Sequence, residues 1–148
     1  MHIAEGVLSA PVLITGAVVA AGAVAYGLKK LDPRQVMMAA ILGAAFFVAS
    51  LIHIPVGPSS VHLLLNGLLG VLLGWSAVPV IFVGLLLQAI LYGFGGLTVL
   101  GVNTATMGLG AVLSWYIFGG LLSVLKPLGA KKAAAVSGFV SGACGVAI

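Results

Sequence analysis

The chain has 148 residues, of which 62% are hydrophobic and 5% charged, with six Lys and Arg against two Asp and Glu. About a quarter of the residues in an ordinary soluble domain carry charge. A mean hydropathy of +1.33 leaves too little polar surface to cover a globule, which excludes that class. Six scattered basic residues cannot follow the phosphates of a nucleic acid, so no nucleic acid partner is expected. The composition predicts a single integral membrane domain over residues 1–148.

Apolar stretches long enough to cross a bilayer recur along the chain. A hydrocarbon core of about 30 Å needs roughly 20 apolar residues in a helix. The first eight residues lack the basic region of a signal peptide, so we expect the N-terminus to be retained. The sequence predicts an all-α, polytopic transmembrane bundle of about six spans, at residues 7–28, 35–53, 60–76, 79–97, 105–125 and 133–148.

The basic residues predict the orientation of the bundle. They form two clusters, one after the first span and one after the fifth: Lys29, Lys30 and Arg34, then Lys126, Lys131 and Lys132. With six spans both clusters lie on one side, and basic residues favour the cytoplasmic side. The N-terminus is therefore expected outside. Five polar residues then gather at the outer ends of the helices, and these are His2, Glu5, His53, His62 and Asn103.

Small residues recur at four-residue spacing in several spans, as at Gly70 and Gly74 in the third. This spacing lets helix backbones approach closely in lipid. The favoured interpretation is packing within the bundle. The alternative is that one such face, with Ala40 and Ala44, docks another membrane subunit.

The first two residues can bind a metal ion. The Met1 amine, the His2 backbone nitrogen and the His2 ring can close adjacent chelate rings, and the fourth ligand can come from His62. Such a set of nitrogen donors suits Ni(II), Cu(II) or Co(II) rather than Mg or Ca. A histidine at position 2 is also common in a solvated terminus, so the spacing alone leaves both interpretations open.

Three stretches of the chain resemble one protein family. They are Met1-His2-Ile3-Ala4-Glu5-Gly6, the Pro/Gly-rich loop from Pro55 to His62, and the segment from Gly95 to Asn103. Together they resemble the CbiM/NikM family, the substrate-capture membrane subunits of energy-coupling factor transporters for cobalt and nickel. The resemblance extends from residue 1 to about residue 125. Members of this family are usually longer, so the chain is either a fragment or a short member.

The resemblance implies a metal site, partners and a location. The ligands would be the Met1 amine, the His2 backbone nitrogen and the rings of His2 and His62, in a nearly square-planar set. Partners would be a transmembrane coupling subunit, a pair of cytoplasmic ATPases and often a small accessory membrane protein, in the cell membrane of a prokaryote. Cobalt taken up in this way serves cobalamin biosynthesis. The chain itself contains no phosphate-binding loop that could power transport.

Other polar residues have two interpretations each. Glu5 either hydrogen-bonds a ligand histidine or lies at the positive end of the first helix. Asn103 either holds the N-terminal segment or caps the fifth helix together with Thr104. His53 is interpreted as an interfacial residue at the end of the second span, with a ligand role as the alternative. Asp32, before Pro33, indicates a helix start or a turn on the inner face. Met107, Trp75 and Trp115 are interpreted as packing or interfacial residues.

Two other functional classes remain open beside the predicted subunit for nickel or cobalt uptake. A channel for divalent cations would need a continuous polar lining, and mid-membrane polarity is limited to Ser50, Gln88 and Ser114. A membrane scaffold would need no ordered terminus. An enzyme is not expected, because neither a catalytic carboxylate pair nor a Ser/His/Asp set can be assembled from the two acidic residues.

Overall fold

A computed structural model describes residues 3, 6–56, 59–62, 65–125 and 130–147. Within these ranges the α-helices are α1 (Ala10–Lys30), α2 (Val36–Leu51), α3 (Asn66–Leu73), α4 (Ala77–Tyr92), α5 (Leu100–Leu125) and α6 (Ala130–Ala147). Between α2 and α3 lies an antiparallel hairpin of two strands, β1 (His53–Val56) and β2 (Ser59–His62). Two 3-10 turns, Pro33–Gln35 and Gly74–Ser76, lead into α2 and α4.

Four stretches of the described chain are long and apolar enough to cross a membrane: Ala10–Lys30, Pro33–Leu51, Asn66–Tyr92 and Leu100–Leu125. The prediction of a helical membrane protein is therefore confirmed. The stretch Asn66–Tyr92 combines α3 and α4, and the eight residues of α3 rise only about 12 Å, less than half of a hydrocarbon core. The division into six spans and the outside location of the N-terminus stay predictions.

Three predicted span boundaries are wrong. The third span was expected from residue 60, but Ser59–His62 is a strand and the helix begins at Asn66. Serine favours turns over helix interiors, and proline removes a helical hydrogen bond, so this part of the chain leaves the helix. The fourth helix ends at Tyr92 rather than 97, because Gly93 adopts a left-handed conformation with φ +67°. The fifth begins at Leu100, five residues before the expected start.

Close approaches between helices establish their directions. Gly70 of α3 and Gly74 directly after α3 meet Ala111 and Trp115 of α5 in the same order, so α3 and α5 are parallel. Gly43 of α2 meets Val80 of α4, and Phe46 of α2 meets Gly84 of α4, so α2 and α4 are parallel. Gly16 of α1 meets Val102 at the start of α5, and Gly27 near the end of α1 meets Trp75 just before α4. Helices α1, α3 and α5 therefore run in one direction, and α2 and α4 run in the other. Helix α6 runs back along α5, since the Ser114 hydroxyl donates to the Ser141 carbonyl at 2.9 Å.

This alternation gives the bundle two unlike ends. One end carries Lys29, Lys30, Arg34, Lys131 and Lys132, and we call it the basic end. The opposite end carries the strands β1 and β2 and the first turn of α5, and we call it the hairpin end. At the basic end the Asp32 carboxylate accepts a hydrogen bond from the Arg34 N–H at 2.8 Å, which confirms the predicted helix start.

The core lies where α2, α3, α4 and α5 meet, around the fully buried side chains of Phe46, Leu69 and Ile81. Met107 is buried in the same cluster, which confirms the packing interpretation. At Gly70 an added Cβ would overlap the Ala111 carbonyl, so glycine lets α3 and α5 touch backbone to backbone. Gly67 does the same toward Gly142 of α6, where a Cβ would lie 2.7 Å from the carbonyl oxygen.

Candidate metal centre

The N-terminal segment is attached to the bundle by a pair of hydrogen bonds. The Ile3 N–H donates to Asn103 Oδ1 at 3.0 Å, and Asn103 Nδ2 donates to the Ile3 carbonyl at 3.3 Å. One side-chain amide thus pairs both backbone groups of Ile3, which fixes the direction of the chain as well as its position. Because Ile3 directly follows His2, this pairing limits where residues 1 and 2 can reach.

Asn103 is rigidly placed inside the bundle. It lies in the first turn of α5, its own N–H donates to the Val99 carbonyl at 2.9 Å, and its side chain is 3% exposed. Asn103 is therefore not a capping residue of α5, and that alternative is wrong. Thr104 does not cap either, because its hydroxyl donates to the Leu100 carbonyl of the same helix at 2.8 Å.

Glycines before α5 bring Asn103 to this position. Gly93, Gly95 and Gly96 all have positive φ, at +67°, +75° and +90°, which other residues rarely adopt. These conformations turn the chain between α4 and α5 within a few residues. The sequence motif that contains Asn103 therefore includes the turn that positions it.

His62 is the last residue of β2, at the hairpin end. In the hairpin its Cα pairs with that of His53, the first residue of β1. The two histidines were expected in the third and second spans, and both expectations are wrong because α2 already ends at Leu51 and α3 begins only at Asn66. The hairpin therefore brings two histidines side by side at the end of the bundle that also holds Asn103.

The other predicted ligands, Met1 and His2, lie outside the described residues, as does Glu5. In the part of the chain that the structure describes, no three His, Cys, Asp or Glu side chains come together as a metal site. Ile3 is the described residue nearest in sequence to the proposed chelate. Ile3, Asn103 and the hairpin therefore all lie at the hairpin end of the bundle.

A buried asparagine at this end was not singled out from the sequence. Asn66 begins α3, four residues after His62, and is 4% exposed. A polar residue that follows three consecutive leucines is the signal that could have identified it, because buried polar groups in membrane proteins need partners or a function.

The mid-membrane polar residues hold helices together. Gln88 Nε2 donates to Ser50 Oγ and, at 3.4 Å, to the Phe47 carbonyl, which links α4 to α2. The Ser114 hydroxyl links α5 to α6. All three side chains are fully buried, so each contributes to packing between helices.

Comparison with known proteins gives consistent matches. The sequence profile of the CbiM family, described as the cobalt uptake substrate-specific transmembrane region, matches residues 2–148. The match therefore extends beyond residue 125, where the resemblance was expected to end. A Haemophilus influenzae protein named for metal transport is 46% identical over 146 residues, which are 99% of this chain and 69% of the relative. The fused nickel transport protein NikMN of Rhodobacter capsulatus is 38% identical over 116 residues, which are 72% of this chain and 33% of the relative.

A solved structure has the same fold. The crystal structure of a truncated transition metal transporter superposes with a TM-score of 0.71 and 27% identity, over 98% of this chain and 70% of the other. The chain thus spans from a third to seven tenths of the length of the proteins that it matches. These proteins are named for transport, which fits the expectation that the chain is not an enzyme.

Proposed function

Because the chain belongs to the CbiM family of cobalt uptake transmembrane proteins, we propose that it is the substrate-binding membrane subunit of an energy-coupling factor transporter for Ni²⁺ or Co²⁺. The metal is the transported substrate. The observation that carries this proposal is the pairing of Asn103 with both backbone groups of Ile3. A solvated terminus would not need such an attachment.

The proposed ligands are the Met1 amine, the His2 backbone nitrogen, the His2 ring and the His62 ring. Their support is that Asn103 holds Ile3 at the hairpin end, the same end at which β2 ends with His62. Four nitrogen donors replace the water around the ion, and both nickel and cobalt accept them. Histidine rings bind metal only when unprotonated, so affinity should fall in acid. We expect Glu5 to hydrogen-bond one of the ligand histidines.

The proposed topology is a single membrane domain with six spans and the hairpin end outside. The described basic residues share the opposite end, as the positive-inside rule requires of a cytoplasmic face. A cysteine at Leu97, an exposed residue before α5, should react with a membrane-impermeant thiol reagent added to whole cells. A cysteine at Lys131 should react only after the cells are opened. The reverse pattern would put the metal site in the cytoplasm and contradict uptake.

The proposed partners are a transmembrane coupling subunit, two cytoplasmic ATPases and a small accessory membrane protein, in the cell membrane of a prokaryote. The chain has no phosphate-binding loop, so the energy must come from another subunit. Ala40 and Ala44 are exposed on α2, along a groove of about 490 Å³ between α2 and α4. This groove supports the expectation that small residues there dock a partner helix.

The proposed function is tested by titrating the purified chain with Ni²⁺ and Co²⁺, each in competition with the other. We expect one ion per chain, retained through gel filtration. A chain that retains neither ion would instead be a scaffold. Metal flux into vesicles that contain this chain alone, without ATPases, would favour a channel.

Asn103→Ala should weaken metal binding by about 10 to 100-fold. It removes two hydrogen bonds to Ile3, each worth about 0.5–1.5 kcal/mol, and 1.4 kcal/mol is tenfold in affinity. Thr106→Ala is the matched control on the same helix, because among the described residues the Thr106 hydroxyl donates to carbonyls of its own helix α5, those of Val102 and Asn103. Calorimetry should show the loss for the first variant alone. Equal affinities for the two variants would show that Asn103 does not position the chelate.

A further inference from the structure

A cavity of about 430 Å³ opens at the basic end, between the end of α1, the turn Gly74–Ser76 and α5. Its walls combine aromatic rings with polar groups. The residues that supply them include Tyr26, Lys30, Gln35, Trp75 and Tyr116. Two other cavities, between α1 and α5 and between α2 and α4, have mostly apolar walls. The cavity at the basic end therefore suits a ligand that is polar on at least one side.

A positive charge is held at the wall of this cavity. Lys30 Nζ lies 5.5 Å from the centre of the Tyr26 ring, and that ring meets Trp75 edge to face at 4.8 Å. The ring faces attract the ammonium group, which still has N–H donors to offer. Of the two acidic residues in the chain, Asp32 accepts from the Arg34 N–H and Glu5 belongs to the N-terminal segment. An anionic ligand would complement Lys30.

The cluster also contains a neutral hydroxyl donor, that of Tyr116. Trp75 Nε1 donates to Tyr116 Oη at 3.4 Å, longer than the usual 2.7–3.2 Å, so the bond is weak. Since Tyr116 Oη is the acceptor, its own O–H is directed elsewhere. The Tyr116 hydroxyl can therefore donate to an anion with several oxygens, and a phosphate group can accept from it and from Lys30 together.

The cavity adjoins exposed apolar surface. Leu72 lines it and is 46% exposed, so apolar surface continues from the polar wall. On the other side Trp115 covers the backbone of Gly74, where an added Cβ would lie 3.2 Å from the ring. Inorganic phosphate would use only the polar wall, whereas a phospholipid would use the polar wall for its headgroup and Leu72 for an acyl chain.

We propose that this cavity binds the phosphate group of an anionic phospholipid, with Lys30 and Tyr116 as donors and Trp75 bonded to the Tyr116 oxygen. Basic residues between membrane helices and aromatic residues at the interface both suit lipid headgroups. The site lies at the end of the bundle opposite to the candidate metal centre, so the proposal does not depend on metal binding.

The chain carries its own reporter for this site. Its two tryptophans, Trp75 and Trp115, both line the cavity, so their fluorescence should respond to an occupant. The purified chain in detergent is titrated with short-chain phosphatidylglycerol, short-chain phosphatidylcholine and inorganic phosphate. We expect a saturable change with phosphatidylglycerol, at least tenfold weaker binding of phosphatidylcholine, and no competition from inorganic phosphate.

Lys30→Gln should weaken the binding of phosphatidylglycerol at least tenfold, and Tyr116→Phe severalfold. Lys29→Gln is the matched control, because Lys29 is the preceding residue of α1, has the same charge and does not line the cavity. It should bind within twofold of the parent. If Lys29→Gln and Lys30→Gln weakened the binding of phosphatidylglycerol equally, the effect would come from the general surface charge and not from this cavity. Full competition by inorganic phosphate, or equal binding of phosphatidylcholine, would likewise overturn the proposed lipid site.

Discussion

Replacing His62 by Ala should abolish most of the affinity for nickel and cobalt. The change removes one of four proposed nitrogen ligands, so the loss should exceed the 10 to 100-fold that is typical when a residue supporting a ligand is changed. We expect more than a 100-fold increase in the dissociation constant. Titration calorimetry of the purified variant measures it directly.

His53→Ala is an unusually close control for this variant. The Cα atoms of His53 and His62 are paired across the hairpin. Each substitution therefore removes a histidine side chain at the same position along the hairpin, one from β1 and the other from β2. His53→Ala should keep the affinity of the parent within a few fold. If His53→Ala lost binding and His62→Ala kept it, the ligand would be the other histidine of the pair.

Three residues added ahead of Met1 should also weaken metal binding by more than 100-fold. The amine of residue 1 becomes a peptide nitrogen, and the chelate rings that it shares with His2 are lost. A single added residue would be a poorer test, because a histidine in third position can form a chelate of its own with the new terminus. Competition with a fluorescent metal chelator at neutral pH provides the measurement.

The same three residues placed after Ile148 provide the control. They add equal length and composition at the other terminus and should leave the affinity unchanged. Gel filtration should show both extended proteins to be folded. Nickel affinity equal to that of the parent in the N-terminally extended protein would remove Met1 from the proposed ligand set.

The sequence predicted the helical membrane architecture well, because the length of apolar stretches is set by the bilayer. It did not predict the hairpin. The predicted spans left Ile54 and Val56 in a loop and placed Val61 in the third span, yet these β-branched residues favour strands, and the neighbouring proline and serines disfavour helix. The alternation between these residues was therefore the more informative signal in this part of the chain.

The contacts of Asn103 could not be predicted from any local sequence pattern. Its partner Ile3 is 100 residues away in sequence, so no window of the chain contains both. The motif around Asn103 indicated a role in holding the N-terminal segment, but the start of α5 at Leu100 and the burial of the amide depend on how α1 and α5 pack. Tertiary contacts of this kind decide the details of a site more than its residue types do.

The pairing of Ile3 with Asn103 also has a consequence for biogenesis. The chain is synthesised from its N-terminus, so residues 1–3 leave the ribosome long before the residue that holds them exists. The N-terminal segment can be locked in place only after α5 has entered the membrane and packed against α1. The proposed metal site of a nascent chain would therefore be completed late in assembly, which would limit the capture of stray metal ions during synthesis.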